Sequence, residues 1–309
     1  MYLNCHSYYS LRYGTIKPEQ LLAIASENSL QTLALTDINN TSACLDFVRL
    51  SKKYKIKPVL GVDFRNRTQQ QFILIAKNNN GFYNINTYLS KFLHNTALKI
   101  PEQAPQLDDT FVVYPYQHNK KYNLKANEFL GIKPQDLNHL KFSEWNTFRS
   151  KLVILQTVSF QNKKGFNTHR LLRAIDNNTL LSKLPKNEQG KETDIMLPFE
   201  ELKNCYHEFP ELIKNTSSLL DNCTIEFDFS QNTPNNQKSY TNNELLDYKL
   251  LEKLTYQGLH YRYKKPGERI FKRIKKELHI IKEKGFVSYF LINWKILKYA
   301  RSKGYFYVG

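Results

Sequence analysis

Three short apolar runs near the start of the chain, each closed by a residue able to hold a proton or a metal ion, constrain the fold more than any other feature. Tyr2-Leu3-Asn4-Cys5-His6, Thr32-Leu33-Ala34-Leu35-Thr36 and Pro58-Val59-Leu60-Gly61-Val62 are bounded by polar or turn residues, the pattern of strands buried on both faces. His6, Asp37 and Asp63 stand at their ends. Helical patterns fill the gaps, from Pro18 to Asn28 and from Ser42 to Tyr54, so the order strand, helix, strand, helix, strand predicts a parallel α/β layout. Chemistry in such folds collects at the carboxyl ends of the strands. An imidazole and two carboxylates converging there are the start of a divalent-metal site.

A chain of 309 residues exceeds what one hydrophobic core organises, which predicts one large domain and part of a second. The net charge of +17 favours a polyanionic partner, nucleic acid before a membrane surface, although an evenly spread Lys-rich surface is the alternative. Cys5, Cys44, Cys205 and Cys223 stand far apart with no CxxC spacing, which argues against a zinc ribbon and for thiols in a reducing compartment, hence the cytoplasm. No apolar run is long enough to span a bilayer, so no membrane association is expected.

Along the chain, Gln71 to Ala76 reads as a fourth strand, Asn78 to Gly81 as a turn and Phe82 to Phe92 as a helix, with later strands at Thr110 to Tyr114 and Leu152 to Val158. Scattered Pro, Asn and Gln leave most of 96–150 without assignable elements. A helix carrying Leu171, Leu172, Ala174 and Ile175 follows from Asn167. The Asn- and Gln-rich run from Ser230 to Ser239 is the best linker, giving a domain over 1–229, a linker over 230–242 and a second domain over 243–309. Beyond it the sequence predicts amphipathic helices at Asn243 to Gly258, Arg269 to Lys284 and Tyr289 to Ser302, the first with Leu245, Leu246, Leu250, Leu251 and Leu254 inward. Lys264, Lys265, Lys272, Arg273, Lys275 and Lys276 are the candidate DNA-phosphate contacts, with a solvated helix face as the other reading.

Several stretches carry a family resemblance. His6-Ser7-Tyr8-Tyr9-Ser10-Leu11, Leu33-Ala34-Leu35-Thr36-Asp37, Ile56-Lys57-Pro58-Val59-Leu60-Gly61-Val62-Asp63 and Ile75-Ala76-Lys77-Asn78 resemble the successive N-terminal motifs of the PHP (polymerase and histidinol phosphatase) domain. Their order is similar to the form at the front of bacterial DNA polymerase III alpha subunits. Phe209-Pro210-Glu211-Leu212 and Asp221-Asn222-Cys223 resemble the end of that domain, and Glu277-Leu278-His279-Ile280-Ile281, Gly285-Phe286, Tyr289-Phe290-Leu291-Ile292 and Gly304-Tyr305-Phe306-Tyr307-Val308-Gly309 resemble the opening of the subunit's palm.

The resemblance implies an α/β fold, a distorted (β/α) barrel of the PHP type followed by a mainly helical, incomplete start of the palm. The palm's phosphate loop and its Mg2+-binding Asp pair are then expected beyond Gly309. It also implies a trinuclear metal centre of His, Asp and Glu, and the family's ligand positions are depleted here. Its opening His pair falls on Asn4 and His6, Ile38 stands in a His place, Asp63 in a Glu place, Tyr13 in an Asp place and Gln71 in a His place. The later Asp and His fall on Thr157 and Ser159. What is left is a weak, degenerate metal site of His6, Asp37, Asp63 and Asn4, or a hydrogen-bonded polar remnant of one. No catalytic residue and no firmly held cofactor are expected. The implied role is part of a replicative DNA polymerase, with DNA, the proofreading exonuclease subunit and other replisome subunits as partners and no polymerase activity in these residues alone. A free-standing metal-dependent phosphoesterase or 3'-5' exonuclease, and a non-enzymatic DNA- or partner-binding module, are the rival readings.

Overall fold

The computed structural model describes residues 1–95, 97–118, 120–230 and 239–306. Two compact units divide at Phe229 and Ser230. In the first, β1 (Asn4–Cys5), α1 (Pro18–Glu27), β2 (Thr32–Leu35), α2 (Cys44–Tyr54) and β3 (Lys57–Asn66) alternate as their apolar spacing dictates. Pro18 opens α1 where no backbone donor is required, and Leu21, Leu22 and Ala25 supply its buried face. In α2, Phe47, Val48 and Ser51 are buried, and Lys55 ends the helix in the left-handed region at φ 55°. Regular pairing of the first strand is confined to Asn4–Cys5, shorter than the apolar run, because Tyr2 and Cys5 also give their carbonyls to Ala34 and Thr36 of the β2 segment.

The parallel expectation breaks at β4 (Gln69–Ala76), which pairs antiparallel with β3. Arg67 (φ 57°) and Thr68 turn the chain within two residues, too few for a crossover, so a hairpin is the outcome. After α3 (Asn79–His94), β5 (Thr110–Pro115) pairs antiparallel with β4. The expected turn at Asn78 to Gly81 is the start of α3, because the Asn78 side chain accepts the Gly81 N–H and nucleates the helix. β6 (Glu128–Ile132) then joins β5 in parallel.

Following the one-turn helix α4 (Leu137–Lys141), the run expected as a single strand divides into β7 (Leu152–Ile154) and β8 (Thr157–Val158). Its first half pairs with β6 and its second half with β1, both in parallel. The run thus bridges the six-stranded sheet β2-β3-β4-β5-β6-β7 to the two-stranded β1-β8 ribbon, and with the β1 to β2 bonds the strands curl into a distorted barrel. Gly61 lies where a Cβ would meet the Leu74 carbonyl oxygen at 2.3 Å, so β3 and β4 approach only because the side chain is absent.

α5 (Lys163–Asp176), capped by Asn162, α6 (Phe199–Cys205) and α7 (Pro210–Asp221) complete the unit. Leu171 and Ile175 are exposed, and α5 buries His169, Arg173 and Ala174 instead. α7 packs on β7 through Thr216, whose hydroxyl accepts the Ile154 N–H at 2.8 Å and donates to Leu212 O at 2.6 Å.

The second unit holds α8 (Glu244–Arg262), α9 (Glu268–Glu283) and α10 (Val287–Ser302). The Asn243 side chain caps α8, and the buried Asp247 carboxylate accepts four hydrogen bonds from Ser239, Tyr240 and Thr241. Its core is Leu251, Leu278 and Leu291, packed by Leu250, Leu254, Ile274, Ile281 and Val287. Leu245 and Leu246, expected inward, are exposed, because the buried stripe of α8 runs through Asp247, Leu251 and Leu254 and both lie off it. Most of the expected linker, residues 231–238, and the end of the palm-like stretch, residues 307–309, lie outside the described residues. Among the described residues no helix is long and apolar enough to cross a membrane.

Candidate functional site at the barrel mouth

The three strands that opened the sequence deliver His6, Asp37 and Asp63 to one end of the barrel, all of them buried. Two of the three touch. His6 Nε2 lies 3.0 Å from Asp63 Oδ2, and because a carboxylate only accepts, that nitrogen carries the proton. His6 Nδ1 meets Ser159 Oγ at 2.9 Å. Asp37 is engaged separately: its Oδ1 accepts from Ser7 N (2.6 Å) and Ser10 Oγ (2.7 Å), and its Oδ2 from Ser7 Oγ (2.7 Å). The carboxylate thereby pins the loop after β1. Asn4 donates to Thr157 Oγ1 at 3.1 Å and accepts from Thr36 Oγ1 at 3.2 Å.

Asp63 has a partner that sequence reasoning missed. Arg65, almost as deeply buried, gives it Nε at 2.9 Å and Nη2 at 2.6 Å, and Gln70 adds its amide at 2.8 Å. The signal was in the sequence. Asp63 and Arg65 are two apart on a strand and so share a face. Gln70 is there because the register shifts opposite Phe64 and Arg65, leaving Gln71 as an extra residue on β4. Gln71, which the family pattern marks, turns back to the Gln69 carbonyl at 3.1 Å, and Gln70 faces Asp63 in its stead.

Burial acts to raise the Asp63 pKa, but the Arg65 guanidinium and then His6 outweigh it and hold the carboxyl well below the usual range. Asp37, with hydroxyls and one amide but no adjacent cation, is pushed up by burial, which those hydrogen bonds only partly offset. Tyr13 roofs the pair. Its ring lies edge-on to His6 at 5.9 Å, with the Arg65 guanidinium 5.1 Å from its centroid and Arg173 at 5.8 Å on α5. His169 supports Tyr13 from behind: its Nδ1 lies 2.7 Å from the Tyr13 carbonyl and its Nε2 accepts the Gly190 N–H at 2.8 Å. Those two bonds fix one neutral tautomer, and burial first, then Arg173, lowers the His169 pKa to about 4 against the Tyr13 carbonyl bond.

The fold implies metal ions at this position, and the donors present do not fit one. Both nitrogens of His6 and both oxygens of Asp37 are occupied by protein groups, and a guanidinium already supplies positive charge beside Asp63. Asp63 Oδ1 is the one carboxylate oxygen of the cluster without a hydrogen-bond partner, a single donor where Zn2+ takes four and Mg2+ six. Among the described residues no three of His, Cys, Asp and Glu lie together as a metal-binding group.

In front of Tyr13, Arg65 and Gln70 opens a cavity of about 850 Å3. Tyr116, Lys133, Gln156, Thr157, Lys191 and Asp194 also line it, whereas His6, Asp37 and Asp63 do not. In the second unit, Lys264 and Lys265 are exposed in the loop before α9, and Lys272, Arg273, Lys275 and Lys276 are exposed on α9 opposite its Ile274, Leu278 and Ile281 stripe. Lys272 pairs with Glu268 at 2.9 Å and Arg273 with Glu277 at 2.6 Å. The structure thus places the basic cluster in a different unit from the barrel residues.

Comparison with known proteins accords with this layout. Residues 3–132 match the PHP domain, and residues 249–309 match the bacterial DNA polymerase III alpha NTPase domain. DNA polymerase III subunit alpha of Bacillus subtilis (strain 168) is 24% identical, with 98% of this chain and 30% of that protein covered. The subunit of the same name from Ureaplasma parvum serovar 3 is 26% identical over 98% of this chain and 29% of its own length. An error-prone DNA polymerase of Symbiobacterium thermophilum is 22% identical, over 98% of this chain and 32% of its own. The chain spans about 30% of the length of the curated relatives it matches. The chain is thus similar to the N-terminal part of bacterial DNA polymerase III alpha subunits, with the PHP match falling on its α/β barrel and the NTPase-domain match on the helices beyond.

Proposed function

We propose that these residues serve replicative DNA synthesis as a scaffold: a PHP barrel whose metal site is degenerate, supporting and docking other parts of a DNA polymerase and carrying no turnover itself. The observation that carries the reading is the Asp63–Arg65 ion pair at 2.6 Å, buried on both sides. A carboxylate neutralised by a neighbouring guanidinium has little to offer a divalent ion, and water-activating chemistry at a PHP mouth needs such ions. His6, Asp37 and Asn4 then act as hydrogen-bonding struts. The helical unit supports a DNA-contacting role, since Lys264, Lys265, Lys272, Arg273, Lys275 and Lys276 are exposed on α9 and the loop before it. Docking of a proofreading exonuclease subunit fits a barrel retained for its outer surface.

The test is direct. Purified chain is incubated with primed template, deoxynucleotides and Mg2+, and separately with phosphate esters and Mn2+. Neither extension nor hydrolysis should exceed that of an Asp37→Asn/Asp63→Asn variant. Hydrolysis that depends on Asp37 would favour a free-standing phosphoesterase and end the scaffold reading.

A further inference from the structure

α5 has two faces able to pack, and the barrel uses only one. His169, Arg173 and Ala174 are buried in the first unit, whereas Lys164, Thr168, Leu171 and Ile175 recur at i, i+4, i+7 and i+11 and so form one outward stripe. Leu171 is 52% exposed and Ile175 60%. The chain then returns beside them. Asn178 takes a left-handed φ of 47°, the Thr179 N–H donates to the Ala174 carbonyl at 2.9 Å, and the 3-10 turn Leu181–Lys183 packs on α5. Leu180 and Leu181 stay 65% and 40% exposed there. Four aliphatic side chains at one helix end approach the few hundred Å2 at which an apolar patch marks an interaction site.

The charges around this patch are unbalanced. Both oxygens of Asp176, the last residue of α5, are taken: Arg12 donates to Oδ1 at 2.7 Å and Arg173 to Oδ2 at 2.6 Å. Lys163 has Glu192 at 3.7 Å. Lys164 on the stripe and Lys183 in the returning turn are exposed and have no acidic partner among the described residues.

We infer that this face is the docking surface for an acidic amphipathic helix of a partner protein, its aliphatic row seated on Leu171, Ile175, Leu180 and Leu181 and its carboxylates beside Lys164 and Lys183. An outward apolar row along a helix is the geometry that receives the i, i+3, i+4 and i+7 anchors of a second helix. A second copy of this chain fits poorly, because a two-fold contact sets the patch against itself and brings cations against cations in a chain of net charge +17. Nucleic acid has no use for the aliphatic centre, since its backbone is met by donors and cations. The inference does not rest on the scaffold reading: α5 offers the same face whether or not the barrel mouth turns over a substrate.

The probe is a synthetic fluorescein-labelled peptide of about 18 residues, with Leu or Ile at i, i+3, i+4 and i+7 and Glu on its other face, titrated with the full chain in fluorescence anisotropy at about 0.15 M salt. A peptide with Lys in place of every Glu, and vesicles of phosphatidylcholine and phosphatidylglycerol, are run beside it. The acidic peptide should bind saturably, and the lysine peptide about tenfold or more weakly. Leu171→Gln/Ile175→Gln leaves the charge unchanged and should weaken binding of the acidic peptide about tenfold, and Lys164→Gln/Lys183→Gln about threefold or more. The apolar variant should melt within about 2 °C of the parent, because both side chains already face water and Gln is a good helix former. No saturable binding of the acidic peptide, equal binding of the lysine peptide, binding that either double variant leaves unchanged, or a larger fall in melting temperature would overturn the proposal. Vesicle binding, or a dimer in sedimentation, that Leu171→Gln/Ile175→Gln abolishes would give the face to lipid or to a second copy and overturn it as well.

Discussion

Replacing Arg65 by Met asks how much of the barrel's stability rests on an internal counter-ion. Asp63 Oδ2 accepts four hydrogen bonds, two from Arg65, one from His6 and one from Gln70. Met preserves most of the side-chain volume and deletes two charge-assisted bonds of roughly 1.5–3 kcal/mol each. Removing one partner of a buried pair typically costs about 3–5 kcal/mol, since the other charge is left uncompensated. Arg65→Met should therefore destabilise the barrel by about 3–5 kcal/mol at neutral pH. Adding Asp63→Asn should restore much of that loss, because the stranded charge is gone.

The pH dependence carries a sign. In the parent, Asp63 has a pKa below its unfolded value of about 3.9, so its contribution is complete above that value and lost only as pH falls through the depressed one. In Arg65→Met the chief lowering influence is absent while burial remains, so the difference between the two proteins should narrow as pH falls toward 4. Urea unfolding followed by Trp145 fluorescence, in a Trp294→Phe background, reads the barrel alone. A cost below about 1 kcal/mol, or no recovery in the double variant, would refute the reasoning.

Other perturbations follow from the same geometry. His169 is held neutral with its pKa lowered to about 4, so the unfolded chain takes up a proton first as pH falls below about 6.5. About 3 kcal/mol of barrel stability should disappear between pH 6.5 and 4, and His169→Asn should show a flatter profile by urea titration across that range. Thr216→Val strands the Ile154 N–H in the core and should cost about 1–3 kcal/mol, measured the same way. Neutralising Lys272, Arg273, Lys275 and Lys276 to Gln should weaken binding to duplex DNA and reduce the salt slope by up to roughly 3–4 in fluorescence anisotropy. Lys275 and Lys276, which have no acidic partner among the described residues, should account for most of that change.

Much of this molecule is legible in its sequence, and the gaps have physical causes. The apolar runs and the helices between them read correctly because each strand is buried on both faces and each helix on one, which leaves two distinct periods. The antiparallel β4 did not read so easily: only the two-residue turn at Arg67 and Thr68 distinguishes a hairpin from another crossover unit. β6 was hidden since its Gly131 lies against Leu155 and Val113, so it lacks a full apolar pattern, and its first residue is the buried Glu128. The division of 152–158 between two partners is a matter of closure that no local pattern records. At the mouth, the convergence of His6 with Asp63 was legible from the apolar runs that precede them, although β3 does not end at Asp63 but continues to Asn66. Arg65 was less so, because strand spacing puts it on the same face as Asp63 without showing that a basic residue there is buried rather than solvated. Lys133 and Tyr116 reach the cavity only through tertiary packing, from segments whose strand ends gave no motif.

The proposed scaffold role requires the Arg65 guanidinium to supply at this barrel mouth the positive charge that metal ions supply in a working PHP centre. Metal content of the purified chain, followed by calorimetric titration with Mn2+ and Zn2+, tests it most directly. The expected result is less than one ion per chain and no saturable heat that Asp63→Asn abolishes. Two or three ions per chain, lost on Asp63→Asn or His6→Ala substitution, would contradict it.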